Sequence, residues 1–175
     1  MRYKDSSPAL GEGVFIAAGA HAIGALSVGR DSSIFYNSVV RADVNTISIG
    51  EGTNIQDNCT LHVTTEHRLE VGNGVTAGHN VILHGCTIED NVMVGMGAIV
   101  LDGALIERDS IVAAGSLVPP GRKYPAGSMI MGSPAVVKRP LTEQEILSIG
   151  VTARRYITVK NNHLAELQKI RENEK

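Results

Sequence analysis

Tryptophan is absent from this sequence, and tyrosine and phenylalanine bring aromatics to only 3% of its 175 residues. An ordinary globular core draws much of its buried area from aromatic rings, so a core of many small, similar layers is expected instead. Cysteine is scarce too. The two present, Cys59 and Cys86, exclude a disulfide framework and point to a reducing, cytoplasmic setting. No apolar run reaches the roughly 18 residues of a membrane span, and Met1 to Asp5 lack the apolar segment of a secretory signal. Neither sign of charge predominates. The formal net charge of -2 leaves no footprint for nucleic acid or an acidic membrane surface. No Walker-type phosphate loop and no strand-linked G-x-G-x-x-G is present, which excludes a nucleotide cradle.

What the chain has in quantity is a period of six. Aliphatic residues recur at Val28, Ile34, Val40; at Ile49, Ile55, Leu61; at Val71, Ala77, Leu83; and at Ile88, Val94, Val100, Ile106, Val112, Val118. Four positions further on the side chain is small: Ser32, Ser38, Thr53, Cys59, Thr87, Ala98, Ala104, Ser110 and Ser116. Neither a helical period nor plain strand alternation gives this pattern. It describes a mainly β chain in which each hexad makes one short strand and one corner, and three hexads close a triangular coil. The large residue fills the prism and the small one lets the corner turn inside it. The pattern resembles the hexapeptide-repeat left-handed parallel β-helix, and the left hand is implied by that resemblance alone.

One domain is expected, in four segments. Residues 1–22 form a lead-in and a ragged first coil with Val14 and Ile16 apolar, and residues 23–122 form the β-helix. The register slips at Thr46 to Ser48 and again at Thr64 to Glu70, where a short polar loop leaves the prism. Pro119-Pro120-Gly121 closes the repeat, and residues 123–141 are a connector. Thr142 and Glu145 then form a capping box that opens a C-terminal helix over residues 142–175. Its apolar stripe (Ile146, Ile149, Ala153, Ile157, His163, Leu164, Leu167) should pack along the solenoid.

Within this frame three histidines fall inside 23 residues, His62, His79 and His84. Alternation turns the residue after each inward aliphatic outward. Arg41, His62 and His84 all occupy that position in successive coils, so they should stack in a column about 4.8 Å per coil apart. Neighbouring imidazoles at that spacing can reach one ion with Zn–N distances of about 2.0 Å. Asp57 and His79 form a second column, around a corner from the first. One subunit cannot easily bring His79 and His84 to the same ion, but a neighbour related by a threefold axis can. The same docking sets Arg41 against the other chain's Asp57. A single outward histidine is normally a solvated surface residue. Three of them, with Arg and Asp at matching column positions, argue for a shared metal site. His21, His67 and His163 have no such company and read as surface or helix residues, and both cysteines read as small buried hydrophobes.

Arg41-Ala42-Asp43, Asn54-Ile55-Gln56-Asp57-Asn58, Leu61-His62-Val63, Gly78-His79-Asn80 and Leu83-His84-Gly85 together resemble the γ-class carbonic anhydrase family. The order and the histidine spacings of 17 and 5 residues match. The resemblance implies a homotrimer with Zn, or Fe or Co, at each interface, held by His62 and His84 of one chain and His79 of the next. It also implies that Gln56 and Asn54 orient water or bicarbonate and that Arg41, Asp43 and Asp57 fasten the interface. Tyr156, on the terminal helix, is a candidate to overhang the site. Three neutral imidazoles leave the ion its full charge and an open position, where the pKa of water falls toward about 7. That suits the hydration of carbon dioxide to bicarbonate. Val44 departs from the family pattern, which has a glutamate directly after the Arg-x-Asp aspartate. The loop Thr64 to Arg68 keeps only Glu66 and His67 as titratable groups short of Arg68. Two other readings use the same site: a metallohydrolase such as a thioesterase for coenzyme A esters, which an apolar groove beside the metal would favour, and a catalytically weak scaffold.

Overall fold

In the computed structural model, which describes residues 1–173, the aliphatic hexads stack into three vertical rows. One row runs Ile16, Ile34, Ile55, Ala77, Val94, Val112, Ile130 through parallel pairing of successive coils. A second runs Ala22, Val40, Leu61, Leu83, Val100, Val118. The third runs Leu10, Val28, Ile49, Val71, Ile88, Ile106, Tyr124. From the second coil onward these side chains point inward and make a filled triangular prism, while Leu10 at the open end is half-exposed. None of the fifteen residues of the six-residue series is more than 3% exposed. Each such aliphatic side chain contributes roughly 1.5–3 kcal/mol through burial, and the layers need no aromatic residue to fill them.

The solenoid is mainly β, with one helix, and two differences from the expected outline have clear causes. The repeat does not stop at Pro119-Pro120-Gly121. Tyr124 and Ile130 continue it at the same period, paired with Ile106 and Val112, so the stretch expected as a connector supplies a last coil. Tyrosine is accepted there because its hydroxyl donates to the Ala135 carbonyl at 2.7 Å. Strand Ser128–Gly132 then turns back antiparallel as Ala135–Pro140. The second difference is at the shortened hexad between Leu83 and Ile88. There the buried corner residue is Cys86, while Thr87 is only half-buried.

Two strands bend around a corner instead of ending at it: His21–Val28 and Val39–Ile49. Their pairing shifts between Gly24 and Leu26. Gly24 has φ +79°, and a Cβ there would stand 2.1 Å from the Ala42 carbonyl oxygen, so only glycine allows this approach. Elsewhere the corners are not glycine's alone. Asn37, Asn58 and Asn80 repeat one left-handed turn in three coils, with φ of 59°, 60° and 60°, a conformation asparagine tolerates better than most side chains.

The helix Glu143–Asn173 opens as expected, with the Thr142 amide donating to Glu145 Oε2 and the Glu145 amide to Thr142 Oγ1. It lies along strands Ser33–Ile34, Asn54–Ile55 and Thr76–Ala77. Phe15 and Phe35, outward residues of the first coils, are buried beneath it with Tyr156 and Leu167. His163 has company here. Its ring stacks on Phe15 at 5.7 Å, and its Nδ1 lies 2.9 Å from the Tyr36 hydroxyl. Leu164 is exposed, and the buried positions are instead Ile149, Ala153 and Lys160, with His163 half-buried.

Lys160 is the unexpected member, 1% exposed, with its ammonium donating to Asp31 Oδ1 at 3.0 Å and Asn161 Oδ1 at 2.7 Å. Removing the partner of a buried charge costs more than removing the charge itself. Asp31→Asn is therefore expected to lower stability by roughly 1–3 kcal/mol, while Lys160→Met changes it little. Urea unfolding of both variants checks this, and equal losses would contradict it.

Candidate metal centre

The column predicted for Arg41, His62 and His84 forms. His62 and His84 end strands Thr60–His62 and Ile82–His84 and are direct register partners. Arg41 follows Val40, whose partner is Leu61. The two rings lie 5.1 Å apart between centroids, and His62 Nδ1 faces His84 Nε2 at 3.1 Å. The other nitrogen of each ring meets a carboxylate: His62 Nε2 lies 3.0 Å from Asp43 Oδ1, and His84 Nδ1 lies 2.7 Å from Asp102 Oδ1. An ionised carboxylate only accepts, so it takes the N–H of each imidazole. The facing nitrogens are then both lone-pair donors aimed at one place. Tetrahedral ligands at Zn–N distances of about 2.0–2.1 Å stand about 3.3 Å apart, close to the separation present. The donor set and its carboxylate backing therefore fit a borderline divalent ion such as Zn, Fe or Co.

His79 stands elsewhere. It lies at the corner after strand Thr76–Ala77, in the sheet that packs under the helix. Asp57, one coil below, meets its Nδ1 at 2.8 Å and also accepts the Tyr36 amide at 3.2 Å. The expected Asp57–His79 column is thus present. Among the described residues of one chain, no three His, Cys, Asp or Glu side chains converge on a common metal position. The structure brings together His62 with His84, and separately His79 with Asp57.

Around these pairs the remaining candidates fall into two groups. Arg41, half-exposed, pairs with Asp43. Burial works against ionisation of Asp43, but its hydrogen bonds with His62 and Arg41 outweigh that and hold its carboxyl below the ordinary carboxylate range. Gln56 and Asn54 are both buried on the His79 side. Gln56 Nε2 donates to Asn54 Oδ1 at 3.2 Å, and Asn54 Nδ2 donates to Thr76 Oγ1 at 2.9 Å. This chain fixes both amides and leaves Gln56 Oε1 as an acceptor. Tyr156 packs edge-on to Phe35 at 5.6 Å, in the seam between helix and prism. Burial, and then the charge of Asp57, push its hydroxyl pKa up. Asp102 is the functional candidate that pattern reading missed. It sits at a corner, where Asp, Asn and Gly recur for reasons of backbone shape alone.

A parallel β-solenoid bearing paired, carboxylate-backed imidazoles on one outer face is the class of protein that fold and site define. Residues 85–120 match the family model described as bacterial transferase hexapeptide (six repeats). The chain is 50% identical to a probable carbonic anhydrase of Methanocaldococcus jannaschii, over 85% of this chain and 93% of that protein. It is 43% identical to the mitochondrial gamma carbonic anhydrase 2 of Arabidopsis thaliana over 97% of this chain, and spans 63% of that longer protein. A crystal structure of a hexapeptide transferase family protein from Anaplasma phagocytophilum superposes with a TM-score of 0.89 at 42% identity, covering 92% of this chain and 95% of that one. The chain belongs to the γ-class carbonic anhydrase family of hexapeptide-repeat proteins.

The cysteines take no part in the donor set. Both are buried, and burial pushes each thiol up to about 12. A thiol with that pKa stays protonated, and so poorly nucleophilic, at any lower pH. At pH 8 the folded protein should release no thiol to a disulfide-exchange reagent such as DTNB within minutes, and denaturant should release both. Fast reaction of either in the folded state would count against the buried assignment.

Proposed function

We propose that the chain is a metal-dependent carbonic anhydrase that works as a homotrimer in the cytoplasm. It hydrates carbon dioxide reversibly to bicarbonate at three interfaces. Each site is formed by His62 and His84 of one protomer and the partner subunit's His79, with Zn the first expectation and Fe or Co the alternatives. The observation that carries this reading is the convergence of two carboxylate-backed imidazoles at 3.1 Å beside a third, similarly backed imidazole that the same chain turns away from them.

The face that carries His62 and His84 supports docking of a neighbour. Val39, Ile82, Ile99, Leu101 and Leu117 are all only half-buried outward residues of its strands and corners, an apolar patch of the kind that marks an interface. Arg41 has donors beyond those used by Asp43, and the partner subunit's Asp57 is their natural acceptor. When bound, the ion supplies a water acidified enough to act as a nucleophile at neutral pH. The chain's own residues do the rest. Gln56 Oε1, held by Asn54, accepts a hydrogen bond without titrating and so orients the attacking oxygen at any pH. The apolar face around the site excludes bulk water from carbon dioxide. On the loop, Glu66 and His67 are both exposed and within reach of solvent as proton acceptors, and the exposed Val44 offers none.

A thioesterase reading would need an apolar groove beside the histidines. The groove lined by Val14, Phe15, Ile16, Leu164 and Leu167 lies instead on the first coil, under the end of the helix. Carbon dioxide needs no such groove.

The experiment is stopped-flow carbon dioxide hydration on metal-loaded and chelator-stripped protein. Activity is expected in the first and lost in the second. Activity surviving complete metal removal would overturn the mechanism, and activity in neither would move the assignment to the thioesterase or scaffold readings. His79→Ala should lower metal content and loosen the trimer together, measured by elemental analysis and light scattering on the same sample. A fully metallated His79→Ala trimer would contradict the shared site.

A further inference from the structure

Each of the three histidines is backed by a carboxylate from an adjacent coil: Asp43 for His62, Asp57 for His79, Asp102 for His84. The three are not equivalent. Asp43 is shared with Arg41, and Asp57 also accepts the Tyr36 amide. Among the described residues, the Asp102 side chain meets only His84 Nδ1, at 2.7 Å. Among the described residues no Lys or Arg pairs with it, so His84 is its one charged-group partner, with the rest of the carboxylate facing solvent.

The surroundings hold Asp102 in that position. The Gly121 amide donates to its backbone carbonyl at 2.8 Å. Gly85, next to His84, has φ +52°, and a Cβ there would meet Asp102 Oδ1 at 2.3 Å and His67 Cβ at 2.8 Å. A Cβ on Gly103, next to Asp102, would meet the His67 ring at 3.2 Å. The carboxylate and the His67 loop thus occupy space that only glycine at position 85 leaves open.

We propose that Asp102 is a positioning residue of the metal centre. It holds the His84 proton on Nδ1 and the ring in the plane that aims Nε2 at the point His62 Nδ1 also faces. This rests on the reading that His62, His79 and His84 bind an ion. A carboxylate behind a ligand imidazole fixes its tautomer and raises its basicity, and losing such a partner typically costs about 10- to 100-fold in metal affinity. A surface Asp–His contact with only a structural role would affect unfolding and leave the metal untouched.

The test uses the full chain loaded with cobalt(II), whose visible spectrum reports ligand geometry, and zinc release to a colorimetric chelator. Asp102→Ala is expected to release zinc about 10- to 100-fold faster and to shift the cobalt spectrum, with trimer size and thermal midpoint near those of the wild type. Asp102→Asn keeps an acceptor but loses the charge and should fall between. If wild type takes up one cobalt per chain and Asp102→Ala matches it in spectrum and zinc release, the assignment of Asp102 is overturned while the metal site stands. If wild type takes up no cobalt, or His62→Ala binds it as well as wild type does, the underlying site fails and the role of Asp102 with it.

Discussion

Parallel, in-register pairing between successive coils is the constraint on which everything else in this molecule depends. Because each residue pairs with its equivalent one coil away, whatever the sequence places outward in one hexad lies directly over its counterpart in the next. Leu61 pairs with Leu83 and, one residue on, His62 with His84. The pairing that fills the prism with leucine also brings two imidazoles to 3.1 Å. No loop has to fold around the pair. Its geometry comes from backbone hydrogen bonds whose rows are buried on their inner side, so the imidazole positions are as rigid as the core beneath them.

The same constraint explains why His79 does not join His62 and His84 within one prism. A filled triangular section has flat outer faces and no cavity, and a column of side chains on one face cannot curve around to meet a column beyond the corner. His79 and Asp57 belong to the sheet that carries the helix, while His62 and His84 belong to the other. Concavity has to be made by setting one prism against another. A site built that way ties ion binding to assembly, since an ion held by two chains stabilises their contact by mass action.

Much of this was legible because a solenoid converts sequence offset into spatial position with little interference from long-range topology. The hexad period named all three rows of the core between Val28 and Val118, and the two outward columns followed from alternation. What escaped has specific physical causes. Tyr124 and Ile130 extend the repeat past two prolines because a proline at a corner gives up no ladder hydrogen bond. Lys160 reads as a solvated helix residue until Asp31, far away in sequence, is known to face it. His163 looked isolated because Phe15 and Tyr36, its neighbours, come from coils the helix reaches only through tertiary packing. Asp102 lies two residues after Val100, the offset by which Asp57 and His79 follow Ile55 and Ala77, but spacing alone does not show its partner, which depends on a corner two glycines keep open.

The helix decides which surface remains for a neighbour. By covering strands Ser33–Ile34, Asn54–Ile55 and Thr76–Ala77 it buries Asn54 and Thr76 and secures the amide chain that orients Gln56. It stops short of the corner where His79 stands half-exposed. The face bearing His62 and His84, with its half-buried Ile82, Ile99 and Leu117, stays bare. A second copy can therefore approach along that face and not along the helix-covered one. The contact so made joins two different patches of the same chain, and a contact of that kind closes into a ring when its rotation divides the circle. Among the described residues the helix makes no hydrogen bond to the carboxylates behind the three imidazoles, so its bearing on any assembly is to withdraw the face it covers.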